Sequence, residues 1–278
     1  MLLRQRAHAK INLALHITGR RGDGYHELDS IVAFAGVADF LTISPAGQLA
    51  TGLSGPFAKE LPSGDENIVL KAWRLLADFA GTVSPVAFHL EKNLPVAAGI
   101  GGGSADAAAA LRGLVQYFNL SISPPELHEL ALKLGADVPV CLIQKTCRMR
   151  GIGEIVSPVD IKLPPAIVLV NPRIPSPTSK VFDALGLTRG QNFAAAIEDV
   201  NDFKNWRNDL TAAAAKIHPE ISQVIDVLKS QPGISCARMS GSGATCFGLA
   251  ESPEQARNVA VTVSKNHPSW WVVATILL

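Results

Sequence analysis

The residues best able to do chemistry lie in one run, Leu94-Pro95-Val96-Ala97-Ala98-Gly99-Ile100-Gly101-Gly102-Gly103-Ser104-Ala105-Asp106. Glycine fills four of the five positions from 99 to 103, so the main chain there is almost bare. Such backbone reaches positive φ without strain and lets a ligand come close. An alanine-rich helix pattern follows, from about 105 to 118. A helix start offers unpaired N–H groups and a partial positive charge. Together the two features make an anion site, most often for phosphate. A tight turn before a helix capped by Ser104 explains the same residues without a ligand.

The run is not a Walker A motif, because no lysine follows its glycines. Nor is it the dinucleotide fingerprint, since Ser104 stands where the third glycine belongs and Pro95 precedes the loop. A phosphate nest at a helix start needs neither motif. Ser104 suits a metal ion or a phosphate oxygen. Asp106 either complements the helix dipole or serves a magnesium ion, because a bare carboxylate repels phosphate. Phosphoryl transfer further needs positive charge and a group that positions or deprotonates the attacking hydroxyl. The chain offers Lys10 on a strand pattern and Asp137 between a helix stop and a proline. A lysine near that carboxylate would keep it ionised. Asp137 equally suits a cap or turn.

The elements around these residues follow from periodicity. Residues 7–17 alternate: Ala7, Ala9, Ile11, Leu13, Leu15 and Ile17 share one face, and His8, Lys10, Asn12, Ala14 and His16 the other. Period two predicts a half-buried strand. A turn over 18–24 leads through Tyr25-His26 to a second strand near 30–34, giving a hairpin, and another strand lies near 39–44. Residues 45–65 read as a loop or irregular hairpin. Asp65-Glu66-Asn67 opens a helix that Gly81 stops. Residues 86–90 form a strand that feeds the glycine run. Pro124-Pro125-Glu126 opens a helix to about 134. Gly151-Ile152-Gly153-Glu154 is a short turn. Prolines at 158, 164 and 165 mark a change of character, so we place a domain boundary near 155, giving 1–155 and 156–278. Beyond it come a strand over 166–170 and helices near 179–185, 192–199, 209–217 and 219–228. Strands at 234–239 and 245–250 flank a second glycine loop, Ser240-Gly241-Ser242-Gly243-Ala244. A helix over 252–266 and a strand over 270–277 close the chain.

Composition bounds the rest. The 278 residues are 47% hydrophobic and 18% charged, enough for a sizeable core. The net charge is +1 with no basic block, which gives a nucleic-acid role no support. No apolar run is long enough for a transmembrane helix, and the N-terminal residues do not read as a signal peptide. Cys141, Cys147, Cys236 and Cys246 fit no zinc or disulfide spacing and read as reduced thiols of a cytoplasmic protein.

Three stretches give the chain a resemblance to the GHMP small-molecule kinases. They are Ala9-Lys10-Ile11-Asn12-Leu13, the run from Leu94 to Ser104, and Met239-Ser240-Gly241-Ser242-Gly243-Ala244. Their order spans nearly the whole chain. Asp23-Gly24-Tyr25-His26, Gly135-Ala136-Asp137-Val138-Pro139 and Gly151-Ile152-Gly153-Glu154 resemble the branch acting on a cytidine diphosphate methylerythritol in non-mevalonate isoprenoid synthesis. The resemblance implies an α+β fold of two domains. The N-terminal one is ribosomal-protein-S5-like and binds ATP, the C-terminal one is ferredoxin-like, and the site lies in the cleft between them. It also implies ATP and Mg²⁺ as cofactors, phosphorylation of the 2-hydroxyl of the methylerythritol unit, and a monomer or homodimer.

Carried over residue by residue, Asp137 matches the catalytic base and Lys10 its charged partner. Pro95, Gly99, Ile100, Gly101, Gly102, Gly103 and Ser104 match the ATP phosphate loop, with Asn67 and Lys92 near the adenosine. Asn12, Tyr25 and His26 match substrate contacts, the tyrosine ring stacking on cytosine and the histidine reading the base edge. Thr178 and Phe182 match the far side of the cytidine pocket, and Ser242 and Gly243 a loop closing on the substrate. Ser104 or Asp106 is the candidate magnesium ligand. Three positions depart from the usual pattern: His8 replaces proline, Ala105 a second serine, and Cys147-Arg148-Met149-Arg150 smaller residues. A homoserine or mevalonate-type kinase is the alternative within the family, and a non-catalytic relative the alternative outside enzymes. Tyr25-His26 argues against the first, and intact Lys10, Asp137 and glycine loop against the second.

Overall fold

Two long paired strands open the chain, β1 (Leu3–Arg20) and β2 (His26–Pro45). The expected strands near 30–34 and 39–44 are one continuous β2. β1 is buried on both faces from Ala7 to Leu15, so its polar face is not solvated: Lys10 is 3% exposed and Asn12 2%. The computed structural model describes residues 2–61, 64–81, 83–203 and 205–278; Pro62 and Ser63, in the loop expected over 45–65, lie outside it. The chain forms two compact units. One comprises Met1–Ala9, Val37–Val96 and Gly102–Gln144, the other Lys10–Gly36, Ala97–Gly101 and Lys145–Leu278.

In the first unit, β3 (Ala50–Ser54) runs parallel to β4 (Val86–Glu91), which pairs antiparallel with Phe40–Pro45 of β2. The stretch expected as a loop or irregular hairpin therefore contributes one strand, paired with distant β4 rather than within a local hairpin. Helix α1 (Ile68–Ala80) starts at Asn67, whose Oδ1 accepts from the Val69 amide, and ends at Gly81 with φ +86°. Thus Asn67 caps the helix. Helix α2 (Gly102–Tyr117) begins three residues earlier than its alanines suggest, and Ser104 sits inside its first turn rather than at the cap. Its alanines at 105 and 107–110 are at most 2% exposed. Small side chains bring the helix close to the strands: a Cβ on Gly113 would lie 2.6 Å from Ile43. Helix α3 (Pro124–Leu134) carries a full Ser123/Glu126 capping box. Helix α4 (Val138–Ile143) begins right after Asp137, at a position the sequence reads as a cap or turn.

In the second unit, Leu28–Val32 of β2 pairs antiparallel with β5 (Cys147–Gly151), which pairs with β6 (Ile155–Pro158). A four-stranded antiparallel sheet follows. β7 (Ala166–Asn171) leads through α5 (Thr178–Asp183), α6 (Thr211–Ile217) and α7 (Glu220–Lys229) to the hairpin of β8 (Ile234–Met239) and β9 (Cys246–Ala250). Helix α8 (Pro253–Asn266) then leads to β10 (Trp271–Ile276), and the strand order is β10-β7-β9-β8. This is the expected ferredoxin-like pattern. Val168, Val170, Ile221, Val224, Leu228, Val259 and Val263 form its core, each side chain contributing about 1.5–3 kcal/mol on burial. No helix forms at 192–199. The amides of Phe193, Ala194 and Ile197 donate instead to Thr18 O, Ile17 O and Asp29 Oδ2, so tertiary partners override the helix preference of the alanines. All four cysteines are free thiols. Among the described residues, no helix is long and apolar enough to cross a membrane.

Candidate active site

In the first unit the end of β4 and the start of α2 share one charged cluster. Lys92 Nζ lies 2.6 Å from Asp39 Oδ2 and 2.7 Å from Asp106 Oδ2, and all three side chains are at most 1% exposed. Burial pushes the lysine down, but the two carboxylates outweigh it and leave its pKa above the ordinary value. Burial pushes Asp106 up to about 7, with Lys92 opposing and the neighbouring Asp39 reinforcing the shift. The ammonium of Lys92, expected near the adenosine, is thus enclosed by carboxylates. Asn67 is buried with its Oδ1 on the α1 backbone. Pro95 is buried. Gly102 passes so close to the cluster that a Cβ there would lie 3.1 Å from Lys92 Nζ, whereas a Cβ on Gly103 would meet open space. Ser104 is half-buried in the same turn. The first turn of a helix leaves amides without intrahelical partners, and such groups attract anions.

Asp137 is half-buried in the first unit, directly before α4. Its side chain makes no capping hydrogen bond. The carboxylate is therefore not the helix cap that its position suggests.

In the second unit the first glycine loop lies against β1 and against the second glycine loop. The Lys10 amide donates to Ile100 O at 2.9 Å. A Cβ on Gly101 would lie 3.1 Å from both Cβ and Cε of Lys10, so the bare loop accommodates the lysine stem. Ser240 Oγ donates to Gly99 O at 2.9 Å and accepts from the Asn12 amide at 3.1 Å. The Thr245 amide donates to Ala98 O at 3.1 Å, and the Ser176 amide to Ala97 O at 3.3 Å. Gly99, with φ +74°, has no room for a Cβ, which would fall 2.7 Å from Gly243 N. This crowding demands glycine on steric grounds as well as conformational ones.

The remaining substrate candidates gather in the same unit. Thr178 Oγ1 and Ser242 Oγ are 2.9 Å apart, and Ser176 Oγ donates to Ser242 O at 2.8 Å. Gly243, with φ +83°, lies where a Cβ would be 2.8 Å from Met239 Sδ. Four residues after Thr178, on the same face of α5, Phe182 meets His26 with ring centroids 4.8 Å apart. Tyr25 is 61% exposed beside it in sequence. Two buried polar atoms here have no hydrogen-bond partner, Asn12 Oδ1 and His26 Nε2. Burial, reinforced by Arg20 and opposed by Asp183, lowers the His26 pKa, which favours the neutral ring.

Several supporting residues escape sequence reasoning. Asp39 is one. Asn208 is another: its Nδ2 donates to Met239 O and Gly241 O, both at 2.8 Å, and so holds the second loop. Lone polar residues among apolar ones give no local signal of this kind. The departure at 147–150 also gains an explanation. Arg148 grips Asp29 with two hydrogen bonds of 2.8 and 2.6 Å, and Asp29 in turn accepts from the Ile197 amide.

Comparison with known proteins agrees with this architecture. The family model for the GHMP kinases N terminal domain matches residues 67–145, and that for GHMP kinases C terminal matches 193–269. The chain is 46% identical over 285 aligned residues to a 4-diphosphocytidyl-2-C-methyl-D-erythritol kinase of Bradyrhizobium diazoefficiens, covering 97% of this chain and 96% of that protein. It is 47% identical to a kinase of the same name from Paramagnetospirillum magneticum, covering 98% and 97%. A crystal structure of 4-(cytidine 5'-diphospho)-2C-methyl-D-erythritol kinase superposes with TM-score 0.84 at 32% identity, covering 99% of both chains. A homoserine kinase from Cytophaga hutchinsonii shares the fold at TM-score 0.74 and 15% identity, covering 99% of this chain and 94% of its own. With both family models matched and near-full-length identity of this order, the chain belongs to the GHMP kinases, in the family of the 4-diphosphocytidyl-2-C-methyl-D-erythritol kinases.

Proposed function

We propose that the chain transfers the γ-phosphoryl group of ATP to the 2-hydroxyl of 4-diphosphocytidyl-2-C-methyl-D-erythritol, releasing ADP and the 2-phosphate. The observation that carries this substrate is the pairing of His26 with Phe182, with His26 Nε2 buried and unpartnered. A neutral imidazole edge without a protein partner suits the hydrogen-bonding edge of a base. Exposed Tyr25 supplies a stacking face. A homoserine or mevalonate offers nothing for either group. Thr178 and Phe182 complete the cytidine side, and Asn12, Ser242 and Gly243 face the rest of the substrate.

In this reading Gly99, Ile100, Gly101, Gly102, Gly103 and Ser104 cradle the ATP phosphates, with Pro95 fixing the approach and Asn67 and Lys92 toward the adenosine side. Lys10 supplies positive charge, and Asp137 accepts or orients the proton of the 2-hydroxyl. Mg²⁺ accompanies the ATP, and when bound it neutralises charge on the phosphate oxygens. The hydroxyl of half-buried Ser104 fits as a ligand. Asp106 does not: it is 1% exposed with one oxygen on Lys92, whereas Mg²⁺ retains several waters. The four free thiols suit a reducing cytoplasm.

The test is to incubate the purified chain with Mg-ATP and each of three acceptors, the cytidyl methylerythritol, homoserine and mevalonate, and to follow ADP. The reading expects turnover on the first alone. Turnover on homoserine or mevalonate without it overturns the assignment.

A further inference from the structure

We propose that Asp39 is a positioning residue for ATP, its single carboxylate tying together the two flanks of the first glycine loop. The proposal rests on the reading that this loop holds the ATP phosphates. Asp39 projects from β2 into the first unit and is 0% exposed. Its Oδ1 accepts from the amides of Asn93 and Leu94, at 2.5 and 2.8 Å. These two residues lead from β4 into the loop. Its Oδ2 accepts from Lys92 Nζ at 2.6 Å, and the same ammonium donates to Asp106 Oδ2 at 2.7 Å. Asp106 lies in the α2 segment that leaves the loop. One side chain therefore holds the incoming strand end directly and the outgoing helix through one lysine.

The neighbourhood is built around this connection. Lys92 is itself pinned by its backbone, its amide donating to Ser54 O at 2.7 Å and its carbonyl accepting from Phe57 at 3.2 Å. Gly102, the first residue of α2, leaves room for the ammonium, and a Cβ there would come within 3.1 Å of it. Asn93 Nδ2 adds a bond to Glu91 Oε1 at 3.2 Å, which steadies the same corner. A buried ion pair is weak evidence for stability by itself, because desolvation offsets the attraction. Three buried charges on separate elements are better explained by what they fix. They set the spacing between residue 94 and the first turn of α2, which bounds the loop.

Asp39→Asn separates this role from a purely structural one. The amide oxygen still accepts from Asn93 and Leu94, but the amide nitrogen faces Lys92 and cuts the connection to α2. Lys92 keeps Asp106 as a counter-charge, so the buried ammonium is not left without a carboxylate. The expected result is a KM for ATP raised at least about tenfold, since small displacements of positioning elements cost up to about a hundredfold. KM for the cytidyl substrate should change less than about twofold. Asp39→Ala also strips the acceptor from Asn93 and Leu94 and should raise KM for ATP further. An unchanged KM for ATP in Asp39→Asn overturns the proposal. So does an equal rise in both KM values together with a lower melting temperature, which marks a general structural role. Failure of the unaltered chain to bind ATP in a titration refutes the underlying reading of the loop, and the proposal falls with it.

Discussion

Ser240 Oγ donates to the carbonyl of Gly99 at 2.9 Å while accepting from the amide of Asn12 at 3.1 Å. One hydroxyl thereby joins the strand that carries Lys10, the first glycine loop and the second. Ser240 is 0% exposed. Ser240→Ala leaves a backbone donor and a backbone acceptor unsatisfied in a buried place. Each such group costs about 1–3 kcal/mol. We expect the variant to lose about 2 kcal/mol in urea denaturation. Unchanged stability would show that solvent or another donor replaces the hydroxyl.

Gly99 tests the same contact from the other side. Its φ of +74° already penalises a side chain, and a Cβ would strike both the Ser240 carbonyl and Gly243. Left-handed backbone costs a non-glycine residue about 1–2 kcal/mol before any clash. Gly99→Ala should therefore reduce kcat/KM for ATP by at least about 10²-fold, read in steady-state assays. Beyond its own helix backbone and chain neighbours, Gly103→Ala meets no protein atom within 4 Å, so it serves as the control for fold. Normal ATP kinetics in Gly99→Ala would mean that the two loops need not touch.

Much of this is legible in the amino-acid order, for local reasons. Period-two and helical patterns locate most strands and helices, and four glycines in five positions locate the loop. What stays hidden depends on distant partners. Residues 193–197 have helical propensity, but β1 and Asp29 take their amides. The start of α2 escapes notice because glycine is a poor helix former, yet Gly102 and Gly103 are its first residues. Asp39 is a lone acid among apolar strand residues, and nothing near it in the chain announces Lys92. Lys10 and Asn12 read as one face of a half-solvated strand. Their burial follows from the 97–101 loop and Ser240 packing on that strand, neighbours remote in sequence.

Tyr25 is the exposed member of the group proposed to face the cytidine. Removing its ring takes away stacking area and little packing. Stacking of a base on an aromatic side chain is worth about 1–3 kcal/mol. Tyr25→Ala should raise KM for the cytidyl substrate by about tenfold or more while leaving KM for ATP nearly unchanged. An equal effect on both constants would reject the stacking role.

Asp29 gives the fold an acid limit. Burial would raise its pKa, but the Arg148 fork and the Ile197 amide outweigh burial and hold it below the ordinary carboxylate value. A depressed native pKa contributes stability that is fully present above the unfolded value, near about 4, and is lost as pH falls through the native one. Asp29→Asn leaves the Arg148 guanidinium without its carboxylate and should cost about 3 kcal/mol at pH 7. Melting curves of both proteins from pH 7 down to pH 3 should show the gap narrowing toward acid. A gap independent of pH would mean that the carboxylate charge is not what Arg148 requires.

Asp137 carries the proposed chemistry, and its surroundings make a clean substitution possible. The carboxylate makes no capping hydrogen bond to α4. Pro139 lies near the N-terminus of that helix, and Val138, Pro139 and Val140 are buried, which anchors the turn independently of the side chain. Asp137→Asn should therefore fold normally. If the group accepts or orients the hydroxyl proton, kcat should fall by at least about 10²-fold. Both KM values should stay within about threefold, because an amide keeps the shape and one acceptor oxygen. A variant with near-normal kcat would reduce Asp137 to a structural residue. A variant with raised KM for the cytidyl substrate and unchanged kcat would make it a binding group instead.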